Sequence, residues 1–92
     1  MVNILYTKDD IDRIFKERCS GNFRESIIKK GVIFEWAFKY PNENITGEVE
    51  YAFCLDEQNY DFEKGCNICL DKAKDKLWRI CGQYSLATGN KL

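Results

Sequence analysis

Phe62, Cys66, Cys69, Ala73, Leu77 and Ile80 recur at three- and four-residue steps, a period that only an amphipathic helix turns into one continuous apolar stripe. Asp61 and Glu63 stand where such a helix would begin, and Lys72, Lys74, Lys76 and Arg79 toward its end, the order the helix dipole favours. Asn59 or Asp61 offers a capping side chain, Asp71 and Asp75 can pair with neighbouring lysines, and Gly82 offers a stop. The spacing therefore predicts a helix over 59–82. A stripe of that length has to be covered, and the rest of the chain must supply the cover.

The cover is legible one segment earlier. Val32, Phe34, Trp36 and Phe38 alternate with Ile33, Glu35, Ala37 and Lys39, which is strand periodicity with one strongly aromatic face. Pro41-Asn42-Glu43-Asn44 is turn chemistry, and the run from Ile45 to Cys54 returns with Glu48 and Glu50 on one side and Val49, Tyr51 and Phe53 on the other. The two runs form an antiparallel β-hairpin over 31–54. At the start of the chain Thr7 and Asp10 make a capping box, acidic residues crowd the first turn, and Ile11, Ile14, Phe15 and Arg18 share a face. That predicts an N-terminal helix within 1–21, stopped by Ser20-Gly21-Asn22. The stretch 22–30 leans toward a further strand, and 87–92 reads as a frayed tail.

These elements make one α+β domain over 1–92: an N-terminal helix, an antiparallel meander of two or three strands, and a long C-terminal helix packed on the sheet. At 92 residues the core is thin. The net charge of −1 argues against duplex nucleic acid as a partner. No apolar run is long enough for a membrane span, and MVNILYTKDD lacks the marks of a secretory signal. With no histidine, His-dependent triads, bases and metal sites are closed to the chain. No enzyme motif and no cofactor motif stands out. The five cysteines are odd in number and unevenly spaced, so reduced thiols are expected rather than a disulfide framework.

Four groups of residues merit weighing. Cys66-Asn67-Ile68-Cys69 is a CxxC, but both thiols fall on the apolar stripe, and a zinc site would have to borrow from Cys54 and Cys81. Core packing is expected and no metal. Lys72, Lys76 and Arg79 form a cationic stripe. It is either a solvated helix face or a phosphate clamp, in which the arginine fork grips phosphate oxygens. Tyr60 beside Asn59, just before a helix start, is either core or a stacking residue with an amide neighbour. Residues 31–60 hold six acidic side chains against one basic. Glu35, Glu48 and Glu50 among them form either a solvated sheet face or a surface that imitates nucleic-acid phosphates.

The second half carries a further pattern: Cys54-Leu55-Asp56, Asn59-Tyr60-Asp61, Glu63-Lys64-Gly65, Ala73, Lys76-Leu77-Trp78, then Gly82 and Tyr84. Over 31–86 it resembles a family of small phage proteins of the gene-product-forty-nine type, and more distantly the phage sponges that defeat Thoeris immunity by sequestering a cyclic ADP-ribose isomer. Two positions depart from the pattern: Glu57 stands where the family often has proline, and Gln83 separates Gly82 from Tyr84. The resemblance implies a non-enzymatic, homo-oligomeric counter-defence protein of the host-cell cytoplasm that captures a cyclic nucleotide signal. It implies Tyr60 as the stacking residue, Asn59 reading base or ribose, and Lys76 and Arg79 on the phosphates. Two alternatives stay open: an anti-CRISPR-type inhibitor that binds a CRISPR effector nuclease through Glu35, Glu48 and Glu50, and a phage accessory protein with no ligand.

Overall fold

The computed structural model describes residues 5–92; residues 1–4 of the predicted N-terminal helix lie outside the described part. Helix α1 is Lys8–Arg18. Its capping box closes as the sequence predicts, with Thr7 N–H donating to Asp10 Oδ2 at 2.9 Å and Asp10 N–H to Thr7 Oγ1 at 3.2 Å. Ile11 and Ile14 are its buried residues. The helix ends at Arg18, but Ser20-Gly21-Asn22 is not a loop: the chain passes through Cys19 directly into strand β1, Cys19–Glu25. Pairing with the next strand decides this, because Phe23 stacks on Phe34 with ring centroids 4.2 Å apart.

Strands β2 (Gly31–Lys39) and β3 (Ile45–Phe53) form the expected hairpin, and β1 completes an antiparallel sheet in the order β1-β2-β3. Both helices pack on one face of it. Val32, Phe34, Trp36 and Phe38 point into the resulting core, where they meet Ile11 and Ile14 of α1 and Cys69, Ala73, Leu77 and Cys81 of the second helix. The arrangement is α+β, with an N-terminal helix, a three-stranded antiparallel sheet and a long C-terminal helix.

Helix α2 spans Phe62–Thr88 and is capped by Asp61, whose Oδ1 accepts from Lys64 N–H at 3.2 Å. Its buried row is Gly65, Cys69, Ala73, Leu77, Cys81 and Ser85, so the predicted stripe is displaced at its ends: Phe62 is exposed, and Cys66 and Ile80 are half-buried. Every step in the buried row is four residues, which drifts about 40° around the helix each time. The row therefore starts on the sheet, where a Cβ on Gly65 would stand 2.5 Å from Val32, and ends on Tyr6, whose hydroxyl lies 2.7 Å from Ser85 Oγ.

That last contact carries the helix past Gly82. A glycine inside a helix costs about 1 kcal/mol, and the turns beyond it bury Ser85 and bring Tyr84 toward Tyr40. The stop falls instead at Gly89, in the left-handed conformation at φ 73°. The predicted tail is tied down as well: Leu92 N–H donates to Tyr6 Oη, Lys91 pairs with Asp10 at 2.9 Å, and Arg13 donates to the Leu92 carbonyl.

Candidate functional site

A groove of about 390 Å³ opens where β3 ends and α2 begins. The end of the strand and the loop after it supply Ala52, Phe53, Cys54 and Leu55, and the start of the helix supplies Asn59, Tyr60, Asp61, Lys64, Gly65 and Ile68. Local chemistry holds the loop in place. The Asp56 carboxylate accepts from Gln58 N–H and from Asn59 Nδ2 at 2.6 Å, and the Cys54 thiol donates to the Asp56 carbonyl. A single 3₁₀ turn, Glu57–Asn59, then leads into the Asp61 cap.

Tyr60 is half-buried. Its hydroxyl donates to the Gly31 carbonyl at 3.4 Å, and the Lys30 ammonium lies 5.7 Å from its ring centroid. Desolvation, with the Glu25 carboxylate nearby, pushes its phenol above the ordinary value, so it stays protonated at neutral pH. Asn59 is exposed and already donates to Asp56, which leaves its carbonyl oxygen and one N–H for a ligand. Phe53, Lys64 and the fully exposed Leu55 are among the lining residues that the sequence reading did not single out for the site. The available signal was a leucine inside an otherwise polar loop.

Lys76 and Arg79 are elsewhere. They sit 16 and 19 residues beyond Tyr60, about 24 and 28 Å along the helical rise, and neither lines the groove. Arg79 is exposed just past the middle of α2. Lys76 is engaged: its ammonium lies 3.0 Å from Glu50 Oε2 and 3.3 Å from Glu48 Oε2, and it donates to the Val49 carbonyl. The bond to Glu50, opposed by partial desolvation, raises its pKa. A phosphate clamp of Lys76 with Tyr60 in a single copy is therefore not assembled.

The same contacts correct the acidic surface. Glu48 and Glu50 lie on the helix side of the sheet; Glu48 is half-buried, and Glu50 is only 4% exposed with the Trp36 indole N–H donating to it at 3.0 Å. Glu35 lies on the opposite face of the sheet, paired with Arg24 Nε at 3.0 Å. The three glutamates are split between two faces of the sheet.

Cys69 and Cys81 are core residues and Cys66 is half-buried. Burial raises the thiols of Cys66 and Cys69, and pushes Cys81 up to about 11 and Cys19 up to about 12. Nucleophilic thiols need the opposite shift. Among the described residues no cluster of three or more His, Cys, Asp or Glu side chains is placed to hold a metal ion. No helix among them is long and apolar enough to cross a membrane. No protein-family model, curated protein or solved structure matches the chain.

Proposed function

We propose that this chain is a non-enzymatic counter-defence protein that captures a cyclic nucleotide signal and withholds it from its effector, with the groove at the start of α2 as the binding site. The observation that carries the proposal is the meeting of Phe53, Tyr60 and Asn59 in one groove with Lys64. Aromatic faces and apolar walls suit a base, the Asn59 amide suits its hydrogen-bonding edge, and Lys64 supplies a point charge for phosphate. The lack of any histidine and the raised thiols favour holding a ligand over transforming it. Identification of the ligand as an immune signal, and of the source as a phage acting in the host-cell cytoplasm, rests on the resemblance of residues 31–86 to the small phage family.

Capture of this kind is stoichiometric, so the free signal falls as the ratio of protein to Kd rises. The alternative, an inhibitor docking on a basic effector nuclease through an acidic surface, loses its main residues to the Lys76 pairings. Native mass spectrometry of the purified protein against a panel of cyclic mononucleotides, cyclic dinucleotides and cyclic ADP-ribose isomers tests the proposal. Retention of one panel member, returned chemically unchanged, is the expected result. Tyr60→Ala should weaken it by about tenfold to a hundredfold, the range of one lost aromatic stack, while Arg79→Ala leaves it intact. Retention of none, or release of an altered compound, overturns the proposal.

A further inference from the structure

The sheet has helices on one face only, and on the other face its three strands align in rows. Arg24, Ile33 and Tyr51 lie side by side in one row, Asn22, Glu35 and Val49 in the next, and Ser20, Ala37 and Gly47 in the third. One outer row is thus large and the other small, at equal distances from the middle row. Tyr51 and Phe53 stack on each other with centroids 5.8 Å apart and remain about half exposed, and Ile45 at the other end of β3 is 68% exposed. A Cβ built on Gly47 meets no atom within 4 Å, so the small row is an open notch.

We propose that a second copy of this chain docks on this face about a two-fold axis through the Asn22–Glu35–Val49 row. A rotation about that axis lays each strand antiparallel on its own counterpart. It seats Tyr51 in the notch over the partner's Gly47, Arg24 on the partner's Ser20 and Phe53 on the partner's Ile45, while Ile33, only 8% exposed within its own copy, presents little surface to the partner's Ala37. Outside the axial row, each large residue of one copy meets a small or aliphatic one of the other, which is the self-complementarity an isologous contact requires. The charges follow the same rule. Glu35 approaches the partner's Glu35 near the axis, but each is already held by Arg24 through Nε. The two terminal amino groups of each guanidinium remain to bridge to the partner's Glu35.

The size of the face sets the strength. One seven-residue and two nine-residue strands offer at most about 30 Å by 15 Å, below the roughly 800 Å² per partner of a standard interface. The dimer is therefore a weak, exchanging one. Stacked aromatics on an open sheet would also suit single-stranded nucleic acid. Among the described residues, the strand positions on this face carry two cations, Arg24 and Lys39, the Nε of Arg24 is already on Glu35, and the chain carries net −1. A second copy therefore fits this face better than a polyphosphate strand.

Sedimentation equilibrium of the full chain, from micromolar to millimolar concentration, tests the proposal. A reversible monomer–dimer equilibrium is expected. Gly47→Tyr fills the notch and sets ring against ring, so it should weaken the dimer by about tenfold or more, with an unchanged circular-dichroism spectrum because a Cβ at this exposed position meets no atom within 4 Å. Adding Tyr51→Ala to that variant transposes the large and small positions on β3 and should restore dimerisation. A monomer at every concentration, a dimer indifferent to Gly47→Tyr, or a double variant as weak as the single one overturns the proposal. So does tight, salt-sensitive binding of an oligouridine strand that Tyr51→Ala abolishes.

Discussion

The Lys76 ammonium lies 3.0 Å from Glu50 Oε2, the same oxygen that accepts the Trp36 indole N–H at 3.0 Å. One carboxylate oxygen of β3 thus ties α2 to Trp36 of β2, and Glu48 closes the cluster from the solvent side. Lys72 makes a parallel contact one turn earlier, donating to the Tyr51 carbonyl at 2.6 Å. Together the two lysines cap main-chain carbonyls along β3, an edge strand of the sheet, which deters strand addition there.

Removing one partner of this cluster should cost more than removing both. Lys76→Met leaves the Glu50 charge buried and without a cation, and should lower stability in urea by about 1–3 kcal/mol, less than for a fully buried pair because Lys76 is about a third exposed. Lys76→Met with Glu50→Gln should recover part of that loss, since the glutamine carbonyl still accepts from Trp36. The raised pKa of Lys76 sets the pH dependence. Its contribution is fully present below the ordinary lysine value of 10.5 and is lost as pH climbs through the raised one, a loss that Lys76→Met should abolish.

At the acid end the capping box is the sensitive element. The hydrogen bond from Thr7 N–H, aided by Lys91, lowers the Asp10 carboxyl from 3.8 to about 2. A lowered carboxylate stabilises the fold above its unfolded pKa and loses that effect as pH falls through the folded one. Thermal unfolding midpoints should therefore decline between pH 3.8 and about 2, and Asp10→Asn should flatten that part of the profile.

Two glycines of α2 should respond in opposite directions to the same change. Gly65→Ala forces a methyl group to within 2.5 Å of Val32 Cγ2, and overpacking of this kind costs about 1–3 kcal/mol. Gly82→Ala meets nothing within 4 Å and should stabilise by about 0.4–1 kcal/mol through the unfolded chain. Chemical denaturation of both variants reads the difference.

The thiols should divide by burial. Brief alkylation of the native protein at neutral pH, read by peptide mass spectrometry, should leave Cys69 and Cys81 unmodified, because both are buried and burial raises their pKa. All five cysteines should label in denaturant. Rapid native labelling of Cys81 would show that the end of α2 opens away from Tyr6.

Local, short-range chemistry was legible in the chain itself. The Thr7–Asp10 box, the alternation through Val32 and Phe38 and the Pro41–Asn44 turn each depend on residues a few positions apart and lie where the sequence places them, and the α2 cap falls on Asp61, one of the two candidates the sequence offers. Asn59 and Tyr60 were legible as a pair for the same reason. What only the tertiary structure decided involves partners far apart in sequence. Alternation in β3 separates Glu48 and Glu50 from Val49, Tyr51 and Phe53, but it does not say which set faces the helices. A strand's two faces differ by a single residue of register, and here Trp36 and Lys76 draw the glutamates inward and leave the aromatics outside. The pairing of β1 with β2, the passage of α2 through Gly82 to Ser85, and the separation of Arg79 from Tyr60 have the same origin. Contacts between distant segments outweighed the local preferences of glycine and of charge.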